Sequence, residues 1–323
     1  MRDKETREVY RKWSNAEPSV PIFSKGWWLD AIAPGTWSSV IIENKEAILA
    51  AMPFTLKAKA GFTLLGQPPL TQNLGPWIRP SSGKYSKRLA REKDLMEALI
   101  EGLPKYDRFQ QHWHYNINNW LPFYWKGFTQ TTRYTYVIEN ISNIDDTFSN
   151  FDHSKRKNIK KAEQLIKVVW DISPDTFYEN HKMTLSKQGQ NISYGYSLFS
   201  RLYDAAYSNN SGRTLAAYDY SGNLHAALFI VYDTMSGYDL ISTIDTDFRN
   251  SGAASLLVFE AIKYVSELGI SKFDFEGSMI EPVERSFRQF GAVQKPYHSV
   301  SKTPSFCLRT LSAARTALNT NRS

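Results

Sequence analysis

The sequence is poor in cysteine, with Cys307 alone among 323 residues. An internal disulfide and a cluster of cysteine thiolates around a metal are therefore excluded. No apolar run approaches the ~18 residues that are needed to cross a bilayer, so no transmembrane segment is expected. The charged residues 1–5 lead into no apolar stretch, so we expect no signal peptide and predict a cytoplasmic protein.

Histidine is also scarce, with six residues, and their spacing predicts no metal site. His112 and His114 alternate along one predicted strand, but no third ligand is evident in the sequence. Asp175, His181 and Ser186 are the residue types of a hydrolase triad, yet no strand-to-helix nucleophile turn surrounds Ser186. We therefore expect neither a metal cofactor nor serine-type hydrolysis.

Positive charge, in contrast, is in excess. The formal net charge is +7, which attracts nucleic acid, phosphate-bearing molecules or an anionic membrane without choosing among them. Five cations fall within the seven residues 155–161. A solvated helix face is the simpler interpretation of this run, and a patch that faces the phosphates of a substrate or of RNA is the alternative.

The pattern of apolar residues predicts a mixed α/β protein around one sheet. In the second half, short connections that contain glycine join three predicted strands, at 214–220, 224–232 and 238–244. An amphipathic helix is expected at 253–268, followed by a short strand at 272–276.

The first half shows a faint echo of this order, with hairpin strands, a helix at 85–103 and a further strand. This echo favours a duplicated α/β unit. We accordingly predict two domains, at residues 1–145 and 146–323.

The junction between the third strand and its helix carries the motif Arg249-x-x-Gly252-x-Ala254. A helix N-terminus has unpaired N–H groups and a partial positive charge, small residues let phosphates approach it, and Arg249 adds a charged donor. An ordinary glycine turn gives the same pattern, but the surrounding strands and helix favour a pyrophosphate site. Its predicted residues are Arg249, Asn250, Ser251, Gly252, Ala253 and Ala254.

This motif resembles the coenzyme A signature of GNAT acyltransferases, Gln/Arg-x-x-Gly-x-Gly/Ala. Residues 274–277 and 286–291 resemble the C-terminal region of the Fem group, the aminoacyltransferases that build peptidoglycan bridges, and of their polysaccharide-locus relatives. Residues 155–162 and 23–30 are similar to two further segments of that group. The resemblance implies two tandem GNAT-like domains: a degenerate first domain that shapes the acceptor site, and a second domain that carries the acyltransferase.

The reaction that the resemblance implies is attack of an amine on an acyl thioester or ester. The amine must lose a proton, so Glu276 is the first candidate for the base and Asp274 is the second. Arg288 stands where Fem enzymes often carry a lysine; it is a candidate for stabilising charge, although it cannot act as a base. Tyr297 is a candidate acid for the departing thiolate. Each of these residues also has an ordinary structural or surface interpretation.

The donor favoured by the signature is a coenzyme A thioester, with acetyl-CoA as the first choice. The resemblance implies an amino group on a cell-envelope or polysaccharide precursor, such as a nucleotide-linked sugar, as the acceptor. Trp27, Trp28, Gln72 and Phe287 are candidates for contacting the substrate, although the tryptophans also suit a core.

Two rival functions stay open. One is a Fem-type ligase that takes its acyl group from aminoacyl-tRNA, although the sequence contains no long coiled-coil insertion of the kind that some members use for tRNA. The other is a non-catalytic GNAT-derived module that holds RNA or an anionic membrane surface through its basic face.

Overall fold

The structure is a computed structural model that describes residues 2–45, 47–277 and 279–310. The helices are α1 (Arg2–Ala16), α2 (Gly26–Ile32), α3 (Tyr85–Glu101), α4 (Leu121–Trp125), α5 (Ile144–Ser149), α6 (His153–Leu165), α7 (Pro174–Lys187), α8 (Tyr196–Ser208), α9 (Ala253–Glu267) and α10 (Glu281–Arg288). Short 3-10 helices span Ile22–Ser24 and Thr246–Ser251.

The strands are β1 (Trp37–Glu43), β2 (Ile48–Lys59), β3 (Phe62–Gly66), β4 (Trp77–Ile78), β5 (Arg108–His112), β6 (Thr129–Ile138), β7 (Ile166–Trp170), β8 (Gly212–Asp219), β9 (Leu224–Tyr232), β10 (Gly237–Ile244), β11 (Phe273–Asp274) and β12 (Val293–Lys302). Mixed parallel and antiparallel pairing with flanking helices confirms the predicted α/β class.

The chain divides into two compact units, one formed by residues 1–133 together with 296–323 and the other by residues 134–295. The chain passes between them inside β6 and returns inside β12. The sequence-based division after residue 145 therefore lies within the second unit. No turn or linker in the sequence marks the crossing, because it occurs within regular strands.

In the first unit, β2 pairs antiparallel with β1, β3 and β4. β5 runs parallel to β3 and antiparallel to β12. A parallel pair needs a crossover connection, and the one between β3 and β5 contains α3. Met96 and Leu99 of α3 pack on Met52 and Phe109 of the sheet in a buried apolar cluster.

In the second unit, β7, β8, β9 and β10 form an antiparallel meander. β11 is parallel to β10 and antiparallel to β6, and α9 lies in the crossover between β10 and β11. Leu257 and Ile262 of α9 belong to the same buried cluster as Leu228 and Ile230 of β9. The strands and the helix predicted here from periodicity are confirmed to within a few residues.

Within the described residues, no helix combines the length and apolar character that crossing a bilayer requires.

Candidate active site

Strands β10 and β11 separate soon after they meet. Their parallel pairing consists of Gly237 with Phe273 and Tyr238 with Asp274. Beyond this point the pairing of β10 with β9, its neighbour on the other side, shifts register between Asp239 and Ile241. Phe275 follows β11 directly, and its N–H donates to the carbonyl of Tyr136 on β6. The two strands therefore part at their carboxyl ends, where α/β proteins commonly bind ligands.

Three carboxyl groups meet at this separation: Asp239 on β10, Asp274 on β11 and Glu276 just after β11. The Asp239 and Asp274 residues are 7% and 1% exposed. Asp274 Oδ1 accepts hydrogen bonds from the Glu276 backbone N–H at 2.8 Å and from the Thr135 hydroxyl. Glu276 Oε1 is buried and has no hydrogen-bond partner among the described residues. The two acidic residues predicted from the sequence are thus side by side, together with a third that was not predicted.

The surroundings of this cluster raise the pKa values of Glu276 and Asp239. Burial, with the negative charges of Asp274 and Asp239, raises the pKa of Glu276 well above its ordinary value. Burial also raises the pKa of Asp239 to about 6, against the opposing hydrogen bond from Ser242. A carboxylate that binds protons more strongly than usual is suited to accept one near neutral pH.

The backbone around Glu276 is held in an unusual conformation. Glu276 has a φ of +57°, which is uncommon for a residue with a side chain. Gly277 follows at +73°, and a Cβ there would lie 2.2 Å from the carbonyl oxygen of Tyr134 on β6. Close packing against β6 thus fixes the turn that presents the Glu276 carboxyl group.

The predicted pyrophosphate motif lies between the 3-10 helix Thr246–Ser251 and α9, with Gly252 at a φ of +83°. Ala253 N–H, at the start of α9, donates to the Ser251 hydroxyl at 3.2 Å. Arg249 is exposed, and Lys161 Nζ of α6 donates to the carbonyl of Asn250 at 2.9 Å. Two cations therefore flank the N-terminus of α9.

The loop that leads into this motif is anchored by residues that sequence reasoning missed. Lys187 Nζ on α7 lies 2.7 Å from a carboxylate oxygen of Asp245 and 2.5 Å from one of Asp247. The ring of Phe248 stacks on that of His225, with centroids 3.9 Å apart. The two aspartates stand beside the motif in the sequence, but nothing local indicates their partner, which lies 58 residues from Asp245.

The other predicted residues of the second unit lie on α10 and face in different directions. Phe287 stacks on Phe275, with ring centroids 4.8 Å apart, and so packs on the core. Arg288 keeps 65% of its side chain exposed and pairs with Glu284 at 3.0 Å. Contacts of either residue with a substrate stay predictions.

The remaining predicted residues belong to the first unit. Tyr297 is buried, and its hydroxyl accepts a hydrogen bond from Arg133 at 3.3 Å. Trp28 is fully buried and donates to Thr71 at 3.1 Å, as a core residue does. Trp27 and Gln72 are half-buried, so both retain surface that is accessible to a substrate.

Residues 149–280 match the family model of the acetyltransferase (GNAT) domain. This segment is therefore similar to GNAT acetyltransferase domains. It contains the motif from Arg249 to Ala254 and all three clustered carboxyl groups. No curated protein sequence matches the chain.

Solved structures extend the likeness from this segment to nearly the whole chain. FemX has a TM-score of 0.67 at 12% identity, over 91% of this chain and 95% of that one. L-PGS from Bacillus licheniformis has a TM-score of 0.53 at 12% identity, over 97% and 96%. A tandem GNAT protein from the clavulanic acid biosynthesis pathway has a TM-score of 0.50 at 10% identity, over 94% and 97%. Identities this low show the fold alone, and that fold is the predicted tandem GNAT arrangement.

Proposed function

We propose that the protein is an N-acyltransferase that moves an acyl group from acyl-CoA, with acetyl-CoA as the first choice, to an amine of a cell-envelope or polysaccharide precursor. The observation that carries this proposal is the buried, unbonded oxygen of Glu276 at the separation of β10 and β11 in the GNAT-like segment. A cytoplasmic location is part of the proposal.

Glu276 would act as the base. The acceptor arrives largely as an ammonium ion, and its proton passes to the Glu276 carboxylate, whose raised pKa favours the transfer. The freed nitrogen attacks the thioester carbonyl, the new C–N bond forms, and the C–S bond breaks with its electron pair on the thiolate. The thiolate then takes a proton, for which Tyr297 or water is the donor. Arg288 keeps its predicted role of stabilising charge within this proposal.

The donor would be held at the N-terminus of α9. Arg249 and the backbone N–H groups of residues 250–254 would supply the charge and donors that a pyrophosphate requires, with the Ala253 N–H exchanging its bond to the Ser251 hydroxyl for one to the phosphate. Lys161, fixed beside Asn250, adds a cation that the signature itself does not contain. The pyrophosphate moiety of coenzyme A therefore fits the residues present.

The acceptor class follows from the Fem resemblance. We propose that residues 1–145 shape the acceptor site and that residues 146–323 carry the transfer. Trp27 and Gln72, which are half-buried, are the better candidates for substrate contact, because Trp28 and Phe287 are engaged in packing.

A second candidate function is transfer from aminoacyl-tRNA. It is favoured by a basic cavity of about 480 Å³ lined by His153, Arg156, Lys157 and Lys160 of α6, with Phe148 and Ser149 of α5. No carboxylate lines this cavity in the described part of the chain, so its charge suits a phosphate backbone. The same charge suits an anionic membrane surface, the partner of the non-catalytic alternative.

Binding measurements separate these functions. Coenzyme A should raise the melting temperature of the wild type, and Arg249→Ala should abolish that rise. Arg201→Ala, which removes an exposed arginine on α8, is the matched control and should keep it. If coenzyme A has no effect while aminoacyl-tRNA binds, the Fem-type function replaces the proposal. If neither binds and Glu276→Gln leaves the cellular role intact, the protein is a binding module.

A further inference from the structure

Asp239 lies at the exact point where β10 parts from β11. Its neighbour Tyr238 is the last β10 residue paired with β11, and the register of β10 with β9 shifts just beyond it. The Asp239 residue is only 7% exposed. Its carboxylate accepts a hydrogen bond from the Ser242 hydroxyl at 2.6 Å. No lysine or arginine pairs with it among the described residues.

A buried carboxyl group without a cation is costly to keep ionised, and carboxyl groups with such perturbed pKa values cluster at functional sites. The three carboxyl groups of the cluster differ in the hydrogen bonds that they accept. Asp274 accepts hydrogen bonds from the Thr135 hydroxyl and the Glu276 N–H. Asp239 receives that of Ser242, and Glu276 Oε1 receives none within the described structure. Among the three, Glu276 is therefore the group on which a proton is best held.

We propose that Asp239 is a positioning residue for acyl transfer, whose negative charge makes Glu276 a stronger acceptor for the proton of the incoming amine. The inference rests on the proposed function of Glu276 as the base. The titratable groups that act on Glu276 are Asp274 of β11 and Asp239 of β10, and β6 contributes the uncharged hydroxyl of Thr135. Asp274 also accepts the hydrogen bond that holds the turn at Glu276. Asp239 is therefore the charge that can be removed without disturbing that turn.

The sign of the effect is fixed by electrostatics. An anion beside a carboxyl group disfavours its ionisation and raises its pKa. Asp239→Asn removes that anion and keeps the size of the side chain. Glu276 should then release its proton at lower pH and become a weaker base. The acid limb of the pH profile of kcat/KM, which reports the base in the free enzyme, should move to lower pH.

The first test needs no substrate. Carboxyl ¹³C NMR follows the titration of Glu276 in the full-length wild type, in Asp239→Asn and in Asp204→Asn, a control at an exposed position on α8. The Glu276 midpoint should fall by about one pH unit in Asp239→Asn and stay unchanged in the control. An unchanged midpoint in Asp239→Asn overturns the proposal by itself. A shifted midpoint without acyl transfer overturns the proposed function and the role of Asp239 in that transfer, but leaves the electrostatic coupling of Asp239 to Glu276 standing.

The second test is kinetic. The acid limb of kcat/KM should move by the same amount as the NMR midpoint. A uniform loss of rate at every pH with an unmoved limb means a structural role and overturns the inference. If Asp239→Asn does not fold, Ser242→Ala tests the same coupling, because loss of the hydroxyl makes the Asp239 charge less stable. It should move the Glu276 midpoint in the same direction by a smaller amount, and no movement counts against the proposal.

Discussion

Gly252 packs directly against Asn158, so closely that a Cβ on Gly252 would lie 2.3 Å from the Asn158 carbonyl oxygen. The contact joins the start of α9 to the middle of α6, and it also places Lys161 beside Asn250. The glycine of the coenzyme A signature is therefore required by helix packing as well as by its φ of +83°. Approach of a phosphate is not the only reason for a glycine at this position.

Gly252→Ala should accordingly destabilise the protein. The left-handed backbone alone costs a non-glycine residue about 1–2 kcal/mol, and displacement of α6 adds to it. Gly222→Ala is the matched control, because Gly222 has a φ of +85° but nothing within 4 Å of a Cβ. Urea unfolding should show a clearly larger loss for Gly252→Ala than for Gly222→Ala. Equal losses would show that the contact with Asn158 is unimportant.

Much of the GNAT-like segment was predictable because its signals are local. The signature is contiguous, α9 has a regular apolar period, and Asp274 and Glu276 follow a recognisable strand. Asp239 was missed because it is one of several polar residues in β10, and only the pairing of β10 with β11 brings it to Glu276. Lys187 was missed for the same reason, since its partners are distant in the sequence.

The basic run 155–161 lies on α6. The period of the helix places some of its cations in solvent and one in the protein interior. Lys157, Lys160 and Lys161 are exposed, as the predicted solvated face requires. Lys155, one turn away from Ile159, is instead 8% exposed. Its ammonium group donates to the Ser286 hydroxyl at 2.8 Å and lies 4.4 Å from the centroid of the Phe290 ring. Lys155 is therefore the buried exception in a run whose cations are mostly solvated.

Replacement of Lys187 should loosen the loop before the signature. Lys187→Met leaves Asp245, whose side chain is 6% exposed, without its cation, and a buried carboxylate that loses its partner destabilises the fold. Lys182→Met, on the exposed side of the same helix, is the control and should cost under about 1 kcal/mol. Urea unfolding measures the stability, and titration calorimetry measures the coenzyme A Kd, which should rise for Lys187→Met alone. Identical results for both variants would contradict the anchoring role.

The buried Lys155 should make stability depend on alkaline pH. Burial lowers its pKa from 10.5 to about 8, against the opposing charge of Asp152. The folded state therefore prefers the neutral amine, so this residue's contribution to stability increases between about pH 8 and the unfolded pKa of about 10.4. The free energy of unfolding of the wild type relative to Lys155→Met should rise across that window. A constant difference from pH 7 to 10.5 would falsify the burial of a charged group here.

Glu276→Gln tests both the base and its environment. Loss of a general base should lower kcat/KM by about 10²-fold or more, while the coenzyme A Kd should stay unchanged because Glu276 lies outside the signature. Since the pKa of Glu276 is raised, the folded state prefers the protonated form. Its stabilising contribution is fully present below the unfolded pKa of about 4.3 and is lost as pH rises through the folded value.

The stability of the wild type relative to Glu276→Gln should therefore fall as the pH rises above about 4.3. Urea unfolding of both proteins at several pH values measures this difference. Glu267→Gln, at the exposed end of α9, should change neither the rate nor the pH dependence of stability. A Glu276→Gln enzyme with wild-type kcat/KM would assign the base elsewhere. A stability difference that does not vary with pH would mean that Glu276 is not held in its protonated form by the fold.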